Sequence, residues 1–135
     1  MNIRPNALII VENDGKILAE RGYDEKKDEE FFRLIGGGID FGETSLQTLR
    51  RELDEELGAT LQSHQFIETI ENIFEYKGKP GHEITFLYKG TIDEKFSDMN
   101  QTPILDKEGQ YAQWVDTEKV KRGEVIVYPD ISAHL

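Results

Sequence analysis

The chain has 135 residues, a formal charge of −11 and no cysteine. That length fits a single domain spanning residues 1–135 with a real hydrophobic core, and the missing thiols exclude a disulfide framework, a thiolate zinc site and a cysteine nucleophile. No Lys/Arg stripe offsets the acidity, so stable binding to a nucleic-acid backbone is not expected. No apolar run approaches the roughly 18–20 residues that span a bilayer, and Met1–Pro5 lacks the apolar segment of a secretion signal, so a cytoplasmic protein with no membrane association is expected.

In chain order, Ala7–Val11 and Lys16–Glu20 flank Asn13-Asp14-Gly15, a β-hairpin signal. The charged run Tyr23–Glu30 reads as a loop. Phe31–Ile35 reads as a strand that enters Gly36-Gly37-Gly38, where three residues without side chains let the backbone turn and approach a ligand. A helix follows. Thr44 and Gln47 have capping-box spacing, and Glu43 places negative charge beside the helix N-terminus. Leu46, Leu49, Leu53 and Leu57 recur at helical intervals and predict a buried stripe, with Gly58 as the terminating residue. Phe66–Tyr76 and Glu83–Ile92 read as two strands joined by a turn over Lys77–Gly81. Gln110–Val115 reads as a further strand with Trp114 in the core, and Asp116–Arg122 and Pro129–Leu135 as short helices. Strands outnumber helices, so an α+β architecture with a mixed sheet flanked by helices fits best.

The helix carries the chemistry. Glu52, Glu55 and Glu56 share a face, because residues three and four apart are neighbours. That face is locally unfavourable: Glu52 and Glu56 are like charges at i and i+4, costing about 0.2–0.5 kcal/mol. Glu55 and Glu56 also stand in the last turn, where the helix dipole opposes each anion by about 0.3–1 kcal/mol. A plainly solvated glutamate face, softened by Arg50–Asp54 and Arg51–Glu55 pairs, is the ordinary alternative. A glycine turn leading into such a face favours a divalent-metal site instead.

The fixed positions run Gly37, Glu43, Arg51-Glu52-Leu53, Glu55-Glu56, Gly58-Ala59. This spacing resembles the Nudix box, and the chain resembles a Nudix hydrolase over those 23 residues. Ile35 stands where many members have proline, and Ala59 is a small closing aliphatic. The resemblance implies an α/β/α sandwich and Mg²⁺-dependent hydrolysis of a nucleoside diphosphate linked to another moiety, by water attack at phosphorus. Mn²⁺ is a possible substitute. It implies Glu55 and Glu56 as direct ligands, Glu52 as ligand or general base, and the Gly36 carbonyl as a further ligand. Arg51 and Glu43 are expected to pair and brace the turn.

Outside the box, Glu108 is the first candidate for an added loop acid acting as metal ligand or base, and Glu83 the second. Phe31, Phe74 and Tyr76 are candidate platforms for a base, though each equally suits a strand core. Tyr76 stands where relatives that cleave diadenosine polyphosphates have a tyrosine. Arg33, Lys77 and Lys79 are candidate phosphate contacts, and His82 a weaker substrate contact. The expected partner is a small nucleotide-like diphosphate: a nucleoside triphosphate, a dinucleoside polyphosphate or a nucleotide sugar. A Nudix-like module that senses such a ligand without cleaving it is the alternative. A homodimer stays open, because some members of the family dimerise through sheet edges.

Overall fold

The computed structural model describes residues 1–135. Its strands are β1 (Ile3–Asn13), β2 (Lys16–Asp24), β3 (Glu29–Gly38), β4 (Leu61–Tyr76), β5 (Lys79–Ile92), β6 (Gln101–Pro103), β7 (Tyr111–Asp116) and β8 (Val127–Tyr128). The helices are α1 (Ser45–Leu57) and α2 (Thr117–Lys121), with 3₁₀ turns at Glu94–Asp98 and Ser132–His134. The strands join in the order β4-β5-β1-β3-β2-β7-β6, with β8 beside β3. β1 runs parallel to β5 and antiparallel to β3, which makes the sheet mixed.

β3 divides the molecule. Its second half pairs with β1 through Ile35–Gly38, while its first half pairs with β2 through Glu29–Leu34. The sheet therefore opens into two lobes, β1-β5-β4 and β2-β7-β6, with a cleft between them. Side-chain alternation along β1 sets the layers. Ala7, Ile9 and Val11 pack with Leu49, Leu53 and Leu57 of α1. Leu8 and Ile10 face the other way, into a second core with Leu34, Leu87, Val120 of α2 and Ile131. The Ala7–Val11 run is apolar throughout because both its faces are covered.

The hairpin forms as the sequence predicts: Asn13 pairs with Lys16, and Asp14 and Gly15 adopt φ of 50° and 73°. The helix boundaries follow too. Thr44 and Gln47 make the reciprocal capping box, and Gly58 ends the helix at φ 66°. Leu49, Leu53 and Leu57 are buried, while Leu46 is half-buried at the edge of the same core.

Three expectations change, and two short strands are added. Half of Tyr23–Glu30 is strand, because Tyr23 pairs with Glu30 and Asp24 with Glu29, leaving a four-residue turn. Its charges do not prevent pairing, since Arg21 reaches across to Glu30 at 2.6 Å. The Pro129–Leu135 segment holds only one 3₁₀ turn rather than a short helix. Trp114 is half-buried at the rim of the core, where its indole N–H donates to the Phe96 carbonyl at 3.1 Å. The short strands β6 and β8, which have no periodicity of their own, form only because β7 and β3 offer them edges.

Candidate active site

Arg51 organises the box. Its Nε and Nη2 donate to both carboxylate oxygens of Glu43, at 2.8 and 2.9 Å. Nη1 donates to Glu52 at 2.9 Å and to Glu55 at 3.2 Å, and Nη2 also reaches the Gly38 carbonyl at 3.0 Å. One planar guanidinium therefore ties the glycine turn, the loop acid and two helix acids together, which a lysine could not do. Glu43 in turn accepts the Asp40 backbone N–H at 3.0 Å and the Thr48 hydroxyl at 2.9 Å. The Arg51 fork, then the backbone donor, hold Glu43 down at about 2. The expected brace between Arg51 and Glu43 is present.

Beneath it the carboxylates are crowded. Glu56 is only 5% exposed. Burial, and then the neighbouring Glu52 carboxyl within hydrogen-bonding reach, push Glu56 up to about 8. Gly37 supplies the space: a Cβ there would sit 2.6 Å from the Glu52 carboxyl. Gly36 adopts φ 142°, a conformation that L side chains rarely adopt, and turns β3 against Leu8.

The donor set fits a hard divalent cation, because it offers only oxygen and holds two mutually repelling carboxyls, one of them buried, beside a side-chain-free turn. Glu52 and Glu56 meet each other. Glu55 turns outward to Arg51, so no three acidic side chains converge on one point in this structure.

The cleft lies next to this face and has a volume of about 440 Å³. Arg33, Phe74, Tyr76 and Glu83, all candidate substrate residues, line it together with Gly36. Phe31 packs edge-on between Tyr76 and Tyr128, with ring centroids 5.6 and 5.5 Å away, and the Arg33 guanidinium lies 5.8 Å from the Phe31 centroid. Glu83 stands 3.8 Å from Arg4. The lining carries four basic side chains (Arg4, Lys27, Arg33, Lys107) and four acidic ones (Glu20, Asp24, Glu75, Glu83). In a chain of charge −11 the cleft is thus locally balanced and open to an anion.

Glu108 is not brought to the cleft. It sits exposed in the turn before β7, while its neighbour Lys107 points inward to Glu20 at 3.3 Å. That loop is tied to α1, since the Leu105 N–H donates to the Glu56 carbonyl at 2.7 Å. His82, Lys77 and Lys79 do not line the cleft either. Lys77 acts through its backbone, donating to Asp24 at 3.1 Å and pinning the β4–β5 tip to the β2–β3 turn.

Sequence reading passed over Glu20, Lys107, Asn6 and Tyr128. Glu20 and Asn6 carried a signal, as polar residues at the margins of apolar strand runs that are buried to 5% exposure. Lys107 and Tyr128 carried none, because only the chain's return path brings them near.

A mixed sheet with helices on its faces, holding an acidic helix face beneath a glycine turn and beside an anion-tolerant cleft, defines an α+β protein with a candidate cation site. The NUDIX domain model matches residues 2–134, and the chain belongs to that family. A Haemophilus influenzae 8-oxo-dGTP diphosphatase is 28% identical over 127 residues, spanning 93% of this chain and 83% of its own length. An RNA pyrophosphohydrolase of Pelagibacter ubique is 23% identical, spanning 84% and 75%. The fold is shared with the MutT NUDIX hydrolase of Burkholderia pseudomallei, at TM-score 0.65 and 19% identity over 87% of this chain and 86% of that one. A MutT protein from Bacillus halodurans gives 0.66 at 19% identity over 98% and 79%. No helix is long and apolar enough to cross a membrane.

Proposed function

We propose that the chain hydrolyses a pyrophosphate bond in a nucleoside diphosphate carrying a further group, with Mg²⁺ as its cation and Mn²⁺ as a substitute. The substrate is a nucleoside triphosphate, a dinucleoside polyphosphate or a nucleotide sugar. The observation that carries this reading is the Glu52–Glu56 pair under Gly37: two neighbouring carboxyls, one of them buried, beside a residue without a side chain are a costly arrangement that a bound divalent cation would neutralise.

Glu52, Glu55, Glu56 and the Gly36 carbonyl are the groups that would hold the ion. A bound divalent ion supplies charge neutralisation at phosphorus and a more acidic water. Arg51 and Glu43 keep the turn and the helix in register, so the carboxylates do not drift from the phosphates. In the cleft, Phe74 and Tyr76 hold the base, Arg33 is a phosphate contact and Glu83 a further substrate contact. Glu108, which the structure leaves exposed outside the cleft, enters the same reading only as the candidate loop acid, ligand or base. Within this reading the chain is a single cytoplasmic domain, forms no stable complex with nucleic acid, and is free to pair as a homodimer.

The relatives' names support hydrolysis of a diphosphate linkage, since one is an 8-oxo-dGTP diphosphatase and another an RNA pyrophosphohydrolase. The test is chromatography of products after incubation with Mg²⁺ and a panel of nucleoside triphosphates (oxidised ones included), dinucleoside polyphosphates, ADP-ribose and nucleotide sugars. Cleavage of one class by the wild type, and not by Glu56→Gln, is the expected result. Tight binding of one member with no cleavage of any transfers the assignment to a sensing module.

A further inference from the structure

Asn6 is the one buried side chain in the cleft whose hydrogen bonding is only half used. It is 5% exposed and lines the cleft. Its Oδ1 accepts the hydroxyl of Thr85, which is 0% exposed, at 2.6 Å. This contact fixes which way the amide faces. A fully buried hydroxyl must donate its proton, and Asn6 Oδ1 is the acceptor it reaches; the flipped amide would set Nδ2 there and strand that proton. Asn6 Nδ2 donates to no protein group, yet no sealed-in side-chain nitrogen or oxygen lacks a partner. Nδ2 is therefore open to the cleft, as a donor held in one orientation.

The register says what part of a ligand it meets. Asn6 pairs with Thr85, and Thr85 with Ile70. Two residues along each strand pair Arg4 with Glu83 and Glu83 with Asn72, and the next row on β4 is Phe74. Side chains two apart on a strand share a face, so Asn6 shares its face with the Phe74 ring. Ala7, Ile9 and Val11 occupy the other face, which packs on the leucines of α1. Asn6 thus belongs to the aromatic side of the sheet, where a base stacks, and not to the side that faces phosphates.

We infer that Asn6 is a specificity-determining residue whose Nδ2 donates to a carbonyl oxygen of the substrate's base, with Thr85 as the positioning residue that holds it. The inference rests on the nucleotide-hydrolase reading above. A fixed donor accepts a keto group and rejects an exocyclic amine at the same place, since two donors then face each other. The preferred substrates are accordingly nucleotides whose base carries a keto oxygen, as in guanine, hypoxanthine and uracil, over those with an amine there, as in adenine and cytosine.

The decisive comparison is kcat/KM of the full-length protein with Mg²⁺ for inosine triphosphate against ATP, and for UTP against CTP. Each pair exchanges a carbonyl for an amine with little change in size. We expect the keto member to be favoured by about ten-fold or more, since a good base contact discriminates by about that much. Asn6→Asp, which keeps the acceptor for Thr85 and turns the free donor into an acceptor, should reverse the order. Thr85→Val should bring the ratio towards one by freeing the amide to flip, and Thr85→Ser should restore it. A merely structural role for Thr85 would lower all four substrates together. Turnover of all four with no keto preference in the wild type overturns this inference alone and leaves the hydrolase reading standing. No binding and no turnover of any nucleotide overturns both.

Discussion

On the α1 side of the sheet, one arginine holds Gly38, Glu43, Glu52 and Glu55, all within 18 residues of chain. The cleft side is assembled from β1, β2, β3, β4, β5, β8 and the loop before β7, with partners 79 and 87 residues apart at Asn6–Thr85 and Glu20–Lys107. The first region concentrates charge and holds it rigidly. The second balances charge and offers aromatic rings, an amide and an arginine. On the proposed function the difference amounts to a division of labour, in which the helix side acts on phosphorus and the cleft side recognises the remainder of the ligand.

If that division holds, substitutions on the helix side lower kcat and substitutions in the cleft raise KM. The largest effect is expected from Glu56→Gln and Glu55→Gln, each with a loss of kcat on the order of 10²–10⁴-fold, as is typical for removing a group that handles protons or charge in the reaction. Circular dichroism should show an unchanged fold, and near-normal rates in both variants would sink the metal assignment. Next comes Arg51→Lys, which keeps the charge and loses the fork. A loss of about 10–100-fold in kcat/KM is expected from the loosened carboxylates.

In the cleft, Phe74→Ala and Tyr76→Ala should weaken substrate by about 1–3 kcal/mol each, the usual worth of a base-stacking ring. That loss should appear in KM, with kcat changed only a few-fold. A fall in kcat at constant KM would break the separation between the two sides.

The metal-free protein offers a sharper test of the helix side. Glu56 is raised from the ordinary carboxyl value of 4.5 to about 8, so its protonated form is favoured by the folded state. The stability this contributes is fully present below about pH 4.5 and is lost as pH rises towards about 8. The melting temperature in a chelator should therefore fall across that window, and Glu56→Gln should flatten the fall. Binding of Mg²⁺ near pH 7 should release protons, which calorimetry in buffers of different ionisation enthalpy would register. Thr44→Ala is expected to have the smallest effect, about 1 kcal/mol of stability from the lost cap, measured by denaturant unfolding.

What could be read in the sequence was local in origin. The hairpin at Asp14-Gly15, the capping box of Thr44 and Gln47, the leucine stripe and the stop at Gly58 each depend on residues within a few positions of one another. So does the meeting of Arg51 with Glu43, because the turn and the helix leave them little choice of geometry. The cleft was legible only in part. Arg33, Phe74, Tyr76 and Glu83 were candidates by residue type, and the structure brings all four to one cavity. Glu108 was a candidate by its place in a loop, and the structure turns Lys107 inward beside it.

The sequence by itself determined the acidic helix under its glycine turn, since helical spacing and glycine conformation operate without reference to the remainder of the chain. Only the tertiary structure decided that Glu56 is buried against Glu52, that Lys107 reaches Glu20, and that Asn6 faces the cleft with its amide fixed by Thr85. These contacts depend on strand register. Register is set by which faces the two cores bury, a choice made by the whole molecule at once.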